Sequence, residues 1–215
     1  MSDFVINELL TEKPVEETIK IYSKIADNFS EVVKGSEYFF PQIIVKEFSK
    51  LNLPRDIKIL DVAAGTGNVG KLLHDLGYTN IDALDGCKEM LNHAKKMNGV
   101  YKNFIISLVK ADSKLPIEDN EYDSALISGA TCPAHIDVDA YKEIIRIVKP
   151  GGIIGWIKED DAILGRNSER YRNGFYQKSL KQYDNKWVPI NGYDPKVIPN
   201  ATLGKPGDVY FFKVL

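Results

Sequence analysis

The sequence predicts a single α/β domain with a doubly wound, mostly parallel sheet, and three observations support that expectation. Short apolar runs of strand length alternate with helix-period segments through the middle of the chain. The first such run ends in a glycine-rich turn. A length of 215 residues suits one well-buried core and is short for two, and no Pro/Gly/Ser-rich linker, repeat or low-complexity segment divides the chain.

The N-terminal part reads as helical, with Val15, Ile19, Tyr22, Ala26 and Phe29 on one face. A second amphipathic segment starts near Pro41, a good first-turn residue, and carries Ile44, Phe48 and Leu51. The period then changes. Residues 57–64 (IKILDVAA) form an apolar run of the kind a buried parallel strand needs, and Val69, Leu72, Leu73 and Leu76 follow at helical spacing until Gly77. A second strand is expected over residues 81–84, a helix through Met90, Leu91, Ala94 and Met97, a third strand over 104–111 and a fourth over 122–128. Tyr141, Ile144, Ile145 and Val148 mark a further helix, stopped by Pro150, Gly151 and Gly152, before a fifth strand over 153–157. The last third is less regular, with a helix near residues 169–182 and a final strand over 209–214.

Composition narrows the function classes. A net charge of -2 argues against a general nucleic-acid binder, which usually shows a basic excess or a basic face. The longest apolar stretches are of strand length, short of the roughly 20 residues of a membrane span, and residues 1–10 lack the basic start of a secretory signal. The two cysteines, Cys87 and Cys132, are far apart and form neither a metal-type spacing nor a disulfide framework, so reduced thiols, a cytoplasmic setting and no resident metal are the expectation.

Residues 61–70 (DVAAGTGNVG) join the first strand to its helix. The glycines allow a tight turn and the close approach of a ligand at the carboxyl end of the sheet, although a turn without a ligand would use them too. Gly65, Gly67 and Gly70 satisfy the G-x-G-x-x-G dinucleotide pattern, and Asp85 lies about 20 residues on, where a ribose-binding acid belongs. That pattern alone does not separate nicotinamide cofactors from S-adenosylmethionine. Three further features do: Asp61 ahead of the glycines, the turn Val148-Lys149-Pro150-Gly151-Gly152, and the terminal run 207–214 (GDVYFFKV). In these the chain resembles the class I S-adenosylmethionine-dependent methyltransferases, whose signature is an acid, three residues and G-x-G, whose fifth strand follows an LKPGG turn, and whose chain ends in an antiparallel hairpin. Within them it is most similar to the methyltransferase-like proteins named after the Williams–Beuren syndrome chromosomal region, through residues 21–29, 59–63, 83–91 and 100–101. The resemblance implies a Rossmann-like, seven-stranded, mostly parallel sheet with an antiparallel final strand. It also implies N-terminal lid helices over residues 1–52, a core over 53–215, and S-adenosyl-L-methionine as cofactor.

Cofactor contacts follow residue by residue. Asp85 would accept from the ribose hydroxyls, the alternative being an acid that stabilises a helix N-terminus. The resemblance places Asp61, Ala63, Gly65 and Gly67 at the methionine part, and Gly86 and Met90 at the adenosine end, where Met90 could equally be core. It places Asp112 and Ser113 at the adenine, positions that turn chemistry before Pro116 would also explain. Tyr22 on the lid face would suit a sulfonium, with Phe29 as packing and Tyr38 as a further lid residue.

Methyl transfer is an in-line displacement that depends mainly on positioning, and a base is useful only if the acceptor must lose a proton. Residues 128–135 (SGATCPAH) follow the fourth strand, where the resemblance implies the acceptor site, with Ser128 at their start as a further cofactor contact. His135 is the candidate catalytic base and also reads as a structural histidine; Cys132 is a weaker nucleophile candidate. Glu159, Asp160 and Asp161 could bind a cationic amine or a metal, or form a solvated acidic turn. No Asn/Asp-Pro-Pro-Tyr sequence follows the fourth strand, and Ser128 and Gly129 stand where cation-dependent O-methyltransferases carry an acid. A small-molecule acceptor is expected, with nucleic acid and membrane disfavoured as partners. A cofactor-binding protein without turnover and an NAD-dependent oxidoreductase are the rival readings.

Overall fold

The computed structural model describes residues 8–34, 37–112, 114–190 and 192–215. The sheet runs β3-β2-β1-β4-β5-β8-β6, with β7 also paired to β8. Its strands are β1 (Ile59–Val62), β2 (Ile81–Asp85), β3 (Phe104–Ile106), β4 (Tyr122–Ser128), β5 (Val148–Glu159), β6 (Trp187–Pro189), β7 (Lys196–Thr202) and β8 (Lys205–Val214). The first five are parallel, and β8 runs antiparallel to β5. Among the described residues eight strands stand where seven were expected, because the outer edge of β8 is shared by two pieces. β7 pairs with its first half and β6, closed by Pro189, with its end.

Alternation along the central strands sends side chains to two cores. In β5, Ile154 and Trp156 join one face while Ile153 and Ile157 join the other. In β8, Tyr210, Phe212 and Val214 take the first face, and Val209 and Phe211 the second. Trp156 stacks on Tyr210, its cross-strand partner, at 5.0 Å between ring centroids. The helices α1 (Val15–Ile25), α2 (Phe29–Lys34), α3 (Phe40–Ser49), α4 (Asn68–Asp75), α5 (Lys88–Ala94), α6 (Tyr141–Ile147), α7 (Asp161–Leu164) and α8 (Phe175–Leu180) cover the sheet. Of the segment 1–52 expected as a lid, α1 and α2 lie across the ends of the strands. Helix α3 instead packs on the sheet, burying Ile44, Val45 and Phe48 against residues such as Ile59, Leu126 and Phe211.

Several expected boundaries move, among them that of the fifth strand, which begins at Val148, expected on the preceding helix, rather than at residue 153. The third strand stops at Ile106 rather than reaching residue 111: its ladder ends with Ser107 N donating to Asp85 O, because β2 itself ends there. The helix expected over 169–182 is broken, with Asn173 and Gly174 both at positive φ ahead of α8. The single N-terminal helix divides at a tight turn, Ala26–Asn28. The strand order reverses between β1 and β4, so the loops after both open into one crevice.

Candidate cofactor and acceptor site

That crevice holds a cavity of about 940 Å³, mouth included. Its floor is the turn after β1. Ala63, Gly65 and Gly67 have φ values of 55°, 56° and 95°, a run of left-handed backbone that glycine tolerates and that costs Ala63 some strain. The three glycines do different things. Gly65 presents bare backbone to the cavity. Gly67 caps α4. A Cβ on Gly70 would lie 2.2 Å from the Tyr101 hydroxyl, so the absence of a side chain lets Tyr101 lie against α4. From there its hydroxyl donates to Asp61 Oδ2 at 2.6 Å, and Gly70 N donates to the same oxygen at 3.1 Å. Asp61 therefore lies behind the turn and holds its shape.

Burial pushes the Asp61 carboxyl up to about 7, against the pull of its two donors. A carboxyl raised in the folded state contributes stability below the unfolded value near 3.8, and that contribution is lost as pH rises toward 7. A tenfold difference in proton affinity between the folded and unfolded chain is worth roughly 1.4 kcal/mol. Asp61→Asn is expected to flatten the pH dependence of stability across this window. Urea titrations of both proteins from pH 4 to 8 check it, and parallel curves would contradict the assignment.

Asp85, at the end of β2, joins two turns: Oδ2 accepts from Gly65 N at 2.8 Å and Oδ1 from Cys87 N at 2.7 Å. Burial raises its pKa and the two N–H donors oppose the rise. A carboxylate has about four acceptor positions, so lone pairs remain on the cavity side, where Asp85 lines the wall. Thr18 Oγ1 and Ser128 Oγ are buried without a hydrogen-bond partner, and both residues line the same cavity. An apolar slot formed by Ile19, Met90, Leu108 and Val109 completes it. Orphaned hydroxyls, an acid with spare lone pairs and an apolar wall fit a ligand with hydroxyl and amino-acid polar groups and an aromatic base, as S-adenosylmethionine has.

Of the residues singled out in the sequence, Tyr22, Ala63, Gly65, Asp85, Gly86, Met90, Ser128 and His135 line the cavity. Asp61 and Gly67 stand behind it. Asp112 is exposed and absent from the cavity wall, because β3 ends early and residues 107–109 take the strand-end position instead. Ser113 lies outside the described residues. Sequence reasoning does not find Thr18, although a threonine one turn before Tyr22 on an otherwise apolar face is a usable signal; nothing in the sequence marks Leu108.

The orientation of His135 is set by its neighbours. Nδ1 lies 2.9 Å from the Pro133 carbonyl, which can only accept, so Nδ1 carries the proton. Nε2 is then the bare nitrogen, and the Tyr22 hydroxyl donates to it at 2.8 Å. Burial lowers the His135 pKa, leaving a neutral ring. Burial also pushes the Cys132 thiol well up, away from the thiolate a nucleophile requires. The acidic run resolves into three roles: Asp160 caps α7 by accepting from Ala162 N, Asp161 pairs with Lys158, and Glu159 keeps one buried oxygen, Oε2, without a partner. Among the described residues no group of three or more His, Cys, Asp and Glu side chains is placed to hold a metal, and no helix is long and apolar enough to cross a membrane.

Residues 60–155 match the family described as methyltransferase domain. The chain is 29% identical over 127 residues to cycloartenol-C-24-methyltransferase 1 of Oryza sativa subsp. japonica, an alignment covering 58% of this chain and 35% of the relative. It is 28% identical over 138 residues to methyltransferase-like protein 27 of Homo sapiens, covering 63% of this chain and 55% of that protein. The chain thus spans from about a third to about half the length of these curated relatives. An S-adenosylmethionine-dependent methyltransferase of Leishmania major has the same fold, with a TM-score of 0.69 at 20% identity over 93% of this chain and 82% of that one. Over residues 60–155 the chain is thus similar to methyltransferase domains, and its sheet has the Rossmann-like fold of an S-adenosylmethionine-dependent methyltransferase.

Proposed function

We propose that the chain transfers a methyl group from S-adenosylmethionine to a small, largely apolar acceptor. The observation behind this reading is a second cavity of about 630 Å³, mouth included, that shares Tyr22, Phe29, Tyr38, Gly129 and His135 with the first. The rice relative, named for a methyltransferase acting on cycloartenol, supports an apolar acceptor. Bound S-adenosylmethionine supplies an electrophilic methyl on a sulfonium. Asp85 holds the ribose, Ala63 and Gly65 leave backbone for the methionine part, Gly86 and Met90 border the adenosine, and Tyr22 and Ser128 face the boundary between the two cavities. The helices α1 and α2 exclude water from that boundary. Kinship with the Williams–Beuren syndrome chromosomal region proteins belongs to the same proposal, supported by residues 59–63 and 83–91, which build the cofactor wall.

Calorimetric titration with S-adenosylmethionine, S-adenosylhomocysteine and NAD tests the cofactor assignment. Binding of the first two and not the third is expected; binding of NAD alone would return the glycine turn to oxidoreductases. Formation of S-adenosylhomocysteine in the presence of acceptor separates an enzyme from a cofactor-binding regulator. His135→Ala is expected to reduce turnover less than about tenfold, because its free lone pair already holds Tyr22. General bases contribute roughly 10²–10⁴-fold, so a loss of that size would instead make His135 the base.

A further inference from the structure

Glu159 ends β5 and lines the second cavity. Its Oε2 is buried without any hydrogen-bond partner, an expensive arrangement for a carboxylate. Burial raises its pKa, and the charges of Lys205 and Lys158 oppose the rise without either lysine bonding the carboxylate. Lys158 Nζ is committed to Asp161, Asp208 and the Glu159 carbonyl, at 2.6, 2.9 and 3.0 Å. Around the acid the walls are largely aromatic and aliphatic, with Thr131, Cys132, His135, Lys158 and Thr202 as the polar members. Tyr38 and Phe40 lie 4.9 Å apart, Tyr22 and Phe29 6.1 Å apart, and Leu10 and Val33 close the remaining side. Aromatic faces and an unpaired carboxylate both attract one kind of head group, a nitrogen cation with N–H donors. The aromatic and aliphatic part of the wall takes a hydrocarbon.

We propose that the acceptor is an amine on an apolar body, and that Glu159 anchors its nitrogen next to the cofactor methyl. This rests on the methyltransferase reading above. The ammonium gives one proton to the Glu159 carboxylate. The freed nitrogen lone pair attacks the methyl carbon, the carbon–sulfur bond breaks with its electrons returning to sulfur, and the product leaves as a methylated ammonium. The proton held on Glu159 is then released to solvent. The hydroxyl of an alcohol of equal length can donate only one hydrogen bond and carries no charge.

The test is calorimetric titration of octylamine and octan-1-ol into the full chain saturated with S-adenosylhomocysteine, for the wild type and Glu159→Gln. Octylamine is expected to bind the wild type at least tenfold tighter than octan-1-ol. Glu159→Gln should weaken octylamine at least tenfold, leave octan-1-ol and S-adenosylhomocysteine within twofold, and melt no lower than the wild type. Equal affinities for amine and alcohol, absence of amine binding, or a variant that retains amine affinity would overturn the assignment. A variant that melts lower and loses both ligands alike would make Glu159 structural and overturn it too. Failure of S-adenosylhomocysteine to bind the wild type would instead remove the cofactor reading beneath it.

Discussion

Asp85→Ala is expected to lower affinity for S-adenosylmethionine by at least about 100-fold while the chain stays folded. The carboxylate is the acceptor that joins the glycine turn to the start of α5, through Gly65 N and Cys87 N. On the cavity side it has lone pairs left for two ribose hydroxyls. A hydrogen bond to a charged group is worth roughly 1.5–3 kcal/mol, so two of them exceed the roughly 2.7 kcal/mol that a 100-fold change requires. Folding should survive because Gly65 N borders a cavity that water can enter, which leaves Cys87 N as the one buried donor stranded, at a cost of roughly 1–3 kcal/mol. Asp85→Asn separates the contributions. It keeps an acceptor for one N–H but turns an amide donor toward the other, so it should bind more weakly than the wild type yet more tightly than alanine. Calorimetry with far-ultraviolet circular dichroism on the same samples checks both halves. Affinity retained in the folded alanine variant would remove Asp85 from the ribose site.

The parts of this site that are legible in the sequence are those in which local chemistry and tertiary role coincide. An apolar run, an acid and spaced glycines lead to a strand, a turn and a helix whatever packs around them. Asp85 stands at a strand end that its own flanking residues define. The third strand is shorter than its apolar run suggests because its length depends on how far β2 continues beside it, and β2 ends at Asp85. The same early end removes Asp112 from the cavity wall. The three consecutive acids at 159–161 cannot be told apart in sequence, since their roles come from elsewhere. Asp160 needs the free N–H of α7. Asp161 needs Lys158, and Glu159 needs the N-terminal helices that desolvate it. Helix α3, expected with α1 in an N-terminal lid, is amphipathic like it, and which surface receives an apolar face is decided only on folding. Across α3 that surface is the sheet.

Lys158→Met is expected to destabilise the protein by about 3–5 kcal/mol, the usual cost of leaving one member of a buried ion pair behind. Lys158 is fully buried in the register position opposite Asp208, which is itself 2% exposed. Its ammonium also lies 4.9 Å from the centre of the Tyr176 ring. Methionine fills similar volume but leaves Asp208 buried and charged, with Oδ1 already lacking a partner in the native protein. Burial raises the Asp208 carboxyl even with Lys158 opposing it, and loss of the lysine removes that opposition. The deficit should therefore be largest near neutral pH and shrink as pH falls and Asp208 takes up a proton. Asp161, which is partly exposed, can exchange the lysine for water. The double variant Lys158→Met, Asp208→Leu, which removes both buried charges, should regain most of the loss, since well-packed apolar replacements of buried pairs are often neutral. Urea unfolding of the two variants at pH 5 and 7 distinguishes the possibilities. A single variant that costs under about 1 kcal/mol, or a double variant no better than the single, would show that hydrocarbon packing of the lysine stem, and not charge pairing, holds β5 to β8 beside Glu159.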